Sequence, residues 1–229
     1  MEFVAEKLDW QGRAGRRLDE FARRLPTSSR LEITVFGSTP LQLFVEPSFL
    51  SEDIDIFGGE EQTAFLERFV AENKWAKGET DLCIQVCDPL AFRAAAGWRS
   101  RAVEAERHGH LLVFVHPWDV LVSKLQRLEE KDIAAFRVVT EKTLHPTEEE
   151  LIQHLQLALD LYRPSFDEES ARGDMVLNTK ILWRALWDKE IDVRARIIRP
   201  AVERAEREYR EAGRGFKDRL HDLGRPGIY

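Results

Sequence analysis

Two carboxylates and a glycine-serine turn dominate the chemistry written into this chain. Asp53 and Asp55 stand either side of one apolar residue in Asp53-Ile54-Asp55-Ile56-Phe57, and Phe36-Gly37-Ser38 precedes them. On an extended strand, side chains alternate between faces, so both carboxylates project one way while Ile54 and Ile56 project into a core. Like charges that close repel, and one pKa rises unless a cation lies between them. Oxygen donors of this kind favour Mg²⁺, which takes one or two carboxylates and completes its shell with phosphates and water. A hydroxyl-bearing turn whose backbone can approach a ligand closely is suited to phosphate oxygens. The alternative is structural, since Asp-x-Asp also occurs on solvated edge strands, where charge prevents strand pairing between molecules.

The elements around these residues must hold them together. Leu31 to Phe36 is rich in β-branched types and reads as a strand ending at Gly37, and Pro40 to Val45 reads as a short apolar helix. Gly58-Gly59 turns the chain into a helix from about Glu61 to Trp75, closed at Lys77-Gly78. Asp81 to Val86 and Leu111 to Val115 read as further strands, the second after a polar turn at His108-Gly109-His110. Ahead of them, residues 11 to 25 carry Leu18, Phe21, Ala22 and Leu25 at helical spacing and stop at Pro26. From Pro117 the pattern is helical: Trp118 to Leu128, Ile133 to Thr140, Thr147 to Tyr162, Val176 to Trp187 and Val193 to Glu211. Thr147 and Glu150 form an expected capping box after Pro146. Strands gathered early and helices late predict an α+β catalytic domain over 1–142, with a small mixed sheet and flanking helices, followed by an α-helical module over 143–229.

Together, the strand, Gly37-Ser38, the short helix and Ser51-Glu52-Asp53-Ile54-Asp55-Ile56 resemble the signature of the nucleotidyltransferase superfamily related to DNA polymerase β. His116-Pro117-Trp118-Asp119-Val120-Leu121-Val122-Ser123-Lys124-Leu125, then Lys131-Asp132-Ile133, is similar to a second motif of the branch that contains the AbiEii-type toxins. The two stretches span roughly residues 31 to 140. The resemblance implies that Asp53 and Asp55 hold Mg²⁺, that Gly37 and Ser38, assisted by Thr39, cradle the β and γ phosphates of a nucleoside triphosphate, and that Lys124 and Asp132 belong to the active site. It implies an RNA or protein acceptor and an antitoxin partner for a toxin-like member. Active superfamily members add a third carboxylate from the next strand. Here the choices are Asp81, at one end of that strand, or loss of the ligand at Gln85. The first choice gives an enzyme; the second leaves open a catalytically degenerate nucleotide-binding module.

Composition narrows the remaining classes. A chain of 229 residues with 43% hydrophobic content can bury a core. It shows neither a signal-peptide pattern nor eighteen consecutive apolar residues, so a cytoplasmic protein without membrane spans is expected. The net charge of −7 disfavours a dedicated nucleic-acid coat, although the region from 191 onward is locally basic. Its arginines lie three or four residues from glutamates, as on an ordinary solvated helix, with an RNA or polyphosphate contact as the alternative. Cys83 and Cys87 are expected to be buried free thiols. His108 and His110 are expected to flank a solvated hairpin rather than bind metal, and Trp183 and Trp187 to pack the late helices.

Overall fold

The structure, a computed structural model, describes residues 3–49, 51–89, 92, 95–125, 127–158 and 175–211. Helix α1 (Arg13–Arg24) buries Ala14, Leu18, Phe21 and Ala22 along one stripe and ends where Leu25 turns extended before Pro26. Strand β1 (Glu32–Phe36) follows, buried at every position except Glu32. Helix α2 (Thr39–Phe44) leads to β2 (Asp53–Phe57), α3 (Thr63–Glu72), β3 (Cys83–Val86), the single turn α4 (Trp98–Arg101), β4 (Val103–Arg107) and β5 (His110–Phe114). The sheet runs β3-β2-β1-β5-β4. Strand β1 pairs antiparallel with β2 and parallel with β5, β2 pairs parallel with β3, and β4 pairs antiparallel with β5. This is the expected α+β arrangement, a five-stranded mixed sheet with flanking helices.

Strand β4 has no counterpart among the expected elements. Only Val103 of its five residues is buried, because β4 is an edge strand whose charged residues Glu104, Glu106 and Arg107 carry little apolar periodicity. Its turn into β5 places His108 (φ 51°) and Gly109 (φ 88°) in the left-handed region, the geometry whose twist suits a tight hairpin. The two histidines part company there. His108 stays outside, 3.2 Å from Asp19, whereas His110 is buried and its Nδ1 accepts the Leu31 N–H at 3.2 Å. The solvated hairpin therefore describes His108 only.

The helical region comprises α5 (Pro117–Lys124), α6 (Glu130–Thr143), α7 (Glu148–Leu157), α8 (Met175–Trp187) and α9 (Arg199–Glu211). The capping box before α7 is present: Thr147 Oγ1 accepts the Glu150 N–H at 3.3 Å, and Glu150 accepts the Thr147 N–H at 2.7 Å. A π-helical turn, Arg194–Ile198, opens α9. Pro200 has no N–H to offer the Arg196 carbonyl, and Gln156 Nε2 donates to that carbonyl instead at 3.0 Å. Trp183 is fully buried against Trp187, with ring centroids 4.5 Å apart. One hydrophobic cluster runs from Leu8 to Ile197, so the helices on both sides of position 143 rest on the same core. The continuation of α7 to Tyr162 and the basic residues from Arg214 onward lie outside the described residues. Among the described residues, no helix is long and apolar enough to cross a membrane.

Candidate functional site

Strand β2 delivers the alternation its sequence requires. Ile54 and Ile56 are fully buried, while Asp53 and Asp55 are half-buried on the opposite face. The register sets Phe36 beside Asp55, so the chain leaving β1 turns directly over that carboxylate. Gly37 makes the turn at φ +63°, and a Cβ there would fall 2.0 Å from Asp55 Oδ2 and 2.9 Å from its Cγ. Only glycine allows this approach without displacing Asp55. On the other side, Ser51 donates its hydroxyl to Asp53 Oδ1 at 2.6 Å, and the Cys87 thiol lies 3.8 Å from Asp55 Oδ1.

These surroundings work against a free carboxylate. Burial first, and the charge of Asp53 second, push the Asp55 pKa up to about 6. The neighbouring Cys87 thiol is pushed up to about 12, by burial and then by the Asp55 charge. A cation between the acids would relieve both strains, and two carboxylates meet the donor chemistry of Mg²⁺, which keeps water and phosphate oxygens in its remaining positions. Among the described residues, no group of three or more His, Cys, Asp or Glu side chains is arranged to hold a metal ion.

Helix α5 brings the complementary charge. Lys124, in its last turn, reaches Ser38 Oγ at 3.3 Å and Asp132 Oδ1 at 3.2 Å. Asp132 is fully buried, and its second oxygen accepts the Glu129 N–H at 3.0 Å, capping α6. Lys124 thus joins the Gly37-Ser38 turn to α6, and its charge reaches Asp55. A second buried carboxylate anchors α5 from behind: Asp119 takes two bonds from Arg101, both 2.9 Å, and lies 3.0 Å from His154 Nε2 of α7. Burial works to raise the Asp119 pKa, but the bonds to His154 and Arg101 outweigh it and hold the group below its usual range.

Gly37, Ser38, Asp55, Lys124 and Asp132 are therefore linked in one chain of contacts, with Asp53 beside Asp55. Two expected residues stand apart. Asp81 lies two residues before β3, is 80% exposed, and faces Arg13 (3.3 Å) and Arg17 (4.0 Å) of α1 rather than the carboxylate pair. The residue in register with Asp55 on β3 is Gln85. Thr39, expected beside Ser38, is fully buried at the start of α2, and among the described residues its hydroxyl meets no hydrogen-bond partner. Cys83 is a buried thiol as expected, whereas Cys87 is only half-buried and borders the site. Ser51, Cys87 and Arg127, whose Nε lies 3.8 Å from Asp132 Oδ2, are neighbours that sequence reasoning did not nominate. The Ser51-x-Asp53 spacing was the one visible signal, since a short hydroxyl two residues from a carboxylate commonly bonds locally.

Comparison with curated proteins and with solved structures gives no significant match. A family model described as a nucleotidyltransferase of unknown function (DUF6036) matches residues 16–180, more than half of the 229-residue chain. The match takes in both carboxylates of β2, the Gly37-Ser38 turn, Lys124 and Asp132. With the strand and helix order around them, these residues make the chain a member of that nucleotidyltransferase family.

Proposed function

We propose that the protein is a Mg²⁺-dependent nucleotidyltransferase that moves a nucleoside monophosphate from a nucleoside triphosphate to an acceptor hydroxyl. The observation that carries this is the Lys124 ammonium, shared between Ser38 and Asp132, set at the turn that crosses Asp55. Asp53 and Asp55 hold Mg²⁺, which when bound supplies positive charge to the phosphate oxygens. The Gly37-Ser38 turn presents its backbone and hydroxyl to the β and γ phosphates, and Lys124 offsets their charge. Asp132, fully buried, acts through Lys124 by fixing its position. The acceptor oxygen bonds to the α-phosphorus, the bond to the β-phosphate oxygen breaks, diphosphate leaves, and the hydroxyl proton passes to solvent.

The acceptor we propose is RNA or protein, in line with the resemblance to the AbiEii-type branch, which also motivates a cytoplasmic toxin with an antitoxin partner. One observation favours a second function. The β3 residue beside Asp55 is the neutral amide Gln85, which holds a cation less well than a carboxylate, as expected of a module that binds nucleotide without transferring it.

Incubation of the full chain with each α-labelled nucleoside triphosphate, Mg²⁺ and total RNA separates these functions. Label on RNA or on protein, abolished by Asp53→Asn and retained by Asp81→Asn, is the expected result. Triphosphate binding without transfer would establish the degenerate module. Absence of both binding and transfer would overturn both proposals, and loss of transfer in Asp81→Asn would restore that residue as the third acid.

A further inference from the structure

Lys124 has a cationic companion. Arg127 follows it by three residues, at the turn that ends α5, with its N–H directed to the Lys124 carbonyl at 3.2 Å. Its Nε lies 3.8 Å from Asp132 Oδ2 and 3.9 Å from Glu129 Oε1, both at the long limit of ion pairing. Among the described residues, its guanidinium makes no hydrogen bond. Asp132 does not depend on it, because its two oxygens already take the Lys124 ammonium and the Glu129 N–H. The side chain of Arg127 is 42% exposed, against 14% for Lys124.

These contacts give the two cations different freedoms. Lys124 cannot leave without stranding a buried carboxylate, which is costly. Arg127 can swing away at small cost, because its exposed ion pair with Glu129 contributes little and the buried Asp132 keeps both of its hydrogen bonds. It stands on the same buried carboxylate as the lysine that touches Ser38, so Asp132 and Lys124 link its guanidinium to the Gly37-Ser38 turn. A guanidinium presents a planar fork of donors that matches two phosphate oxygens at once. The charges of both cations work to lower the pKa of Asp55, so the field of each reaches the carboxylate pair.

We propose that Arg127 is a terminal-phosphate ligand: it exchanges its contacts with Asp132 and Glu129 for the β and γ phosphates of the bound nucleotide and retains the diphosphate product. This rests on the nucleotidyl-transfer function proposed above and makes the site selective for tri- and diphosphates over monophosphates.

Calorimetric titration of the full chain in Mg²⁺ with nucleoside triphosphates, inorganic diphosphate and nucleoside monophosphates tests it. Arg127→Ala is expected to weaken triphosphate and diphosphate binding about tenfold or more, the effect of one lost charge-assisted contact, and to leave monophosphate binding unchanged. Arg127→Lys should recover part of the loss, and Glu129→Gln, which removes a competitor for the guanidinium, should bind diphosphate at least as tightly as the wild type. An unchanged thermal melt of Arg127→Ala confirms that the exposed substitution leaves the fold intact. Wild-type affinity for diphosphate in Arg127→Ala, or an equal loss for monophosphate, would overturn the assignment while nucleotidyl transfer stood. Failure of the wild type to bind any triphosphate would instead remove the transferase function and this inference with it.

Discussion

Replacing Gly37 by alanine is the sharpest perturbation the structure offers. Two effects combine at that position. The backbone sits at φ +63°, where an L side chain costs about 1–2 kcal/mol. The new Cβ would also lie 2.0 Å from Asp55 Oδ2, 2.9 Å from its Cγ and 3.2 Å from its Cβ. Rotating Asp55 relieves the first two contacts only by swinging its carboxylate away from the turn, and the contact with its Cβ remains for the strand or the turn to absorb. Overpacking of this kind costs about 1–3 kcal/mol, giving about 2–5 kcal/mol in all, a large share of the stability of an ordinary domain.

Two other glycines separate the contributions. Gly78 has φ +89° with nothing within 4 Å of the added Cβ, so Gly78→Ala reports backbone strain alone. Gly59, at φ −59° with only Gln62 Cδ at 3.9 Å, has neither strain nor clash. Urea denaturation of the three variants should rank the losses Gly37→Ala, then Gly78→Ala, then Gly59→Ala close to wild type. Gly37→Ala should also lose Mg²⁺-dependent triphosphate binding, because the displaced carboxylate is one of the pair. A Gly37→Ala protein no less stable than Gly78→Ala, with triphosphate binding intact, would refute the close packing of the turn on Asp55.

Two further outcomes follow from buried charges. In metal-free buffer, Asp55, with a pKa raised to about 6, binds more protons folded than unfolded, so its contribution makes stability fall by about 2 kcal/mol as pH rises from 4 to 6. His116, depressed by burial to about 4, binds fewer protons folded than unfolded, so stability rises by about 3 kcal/mol between pH 4 and 6.5. The two slopes oppose each other. Urea midpoints for Asp55→Asn should therefore drop more steeply on acidification than the wild type's, and those for His116→Asn should drop less, since asparagine can still cap the Trp118 N–H that His116 accepts. Slopes identical to the wild type in both variants would show that neither group is perturbed. Separately, Arg101→Met should cost about 3–5 kcal/mol at neutral pH, because it leaves the fully buried Asp119 carboxylate short of a partner. A loss under about 1 kcal/mol at neutral pH would show that His154 alone satisfies Asp119.

The parts of this protein that were legible before folding are those governed by local periodicity. Alternation in β2 settled that Asp53 and Asp55 share a face and that Ile54 and Ile56 share the other, because neighbouring strand residues have no other choice. Helical spacing located α1, α3 and the later helices, and Thr147 with Glu150 announced the start of α7 through a bond four residues could make by themselves. The Gly37-Ser38 turn and the Lys124-to-Asp132 spacing were recognisable as motifs.

What tertiary structure alone decided depends on which surfaces meet. An edge strand with one buried residue has no apolar rhythm to find, and β4 exists because β5 offers it a ladder. Asp81 was a reasonable third acid by strand parity, yet β3 begins two residues later and the arginines of α1, distant in sequence, face the carboxylate. Cys87 borders Asp55 only because β2 and β3 run in parallel register. Arg127 comes beside Lys124 only because Asp132 of α6 packs against the end of α5 and faces both cations. Local sequence determines which way a side chain points; whether it points at a partner or at water is set by contacts between segments that the chain brings together only on folding.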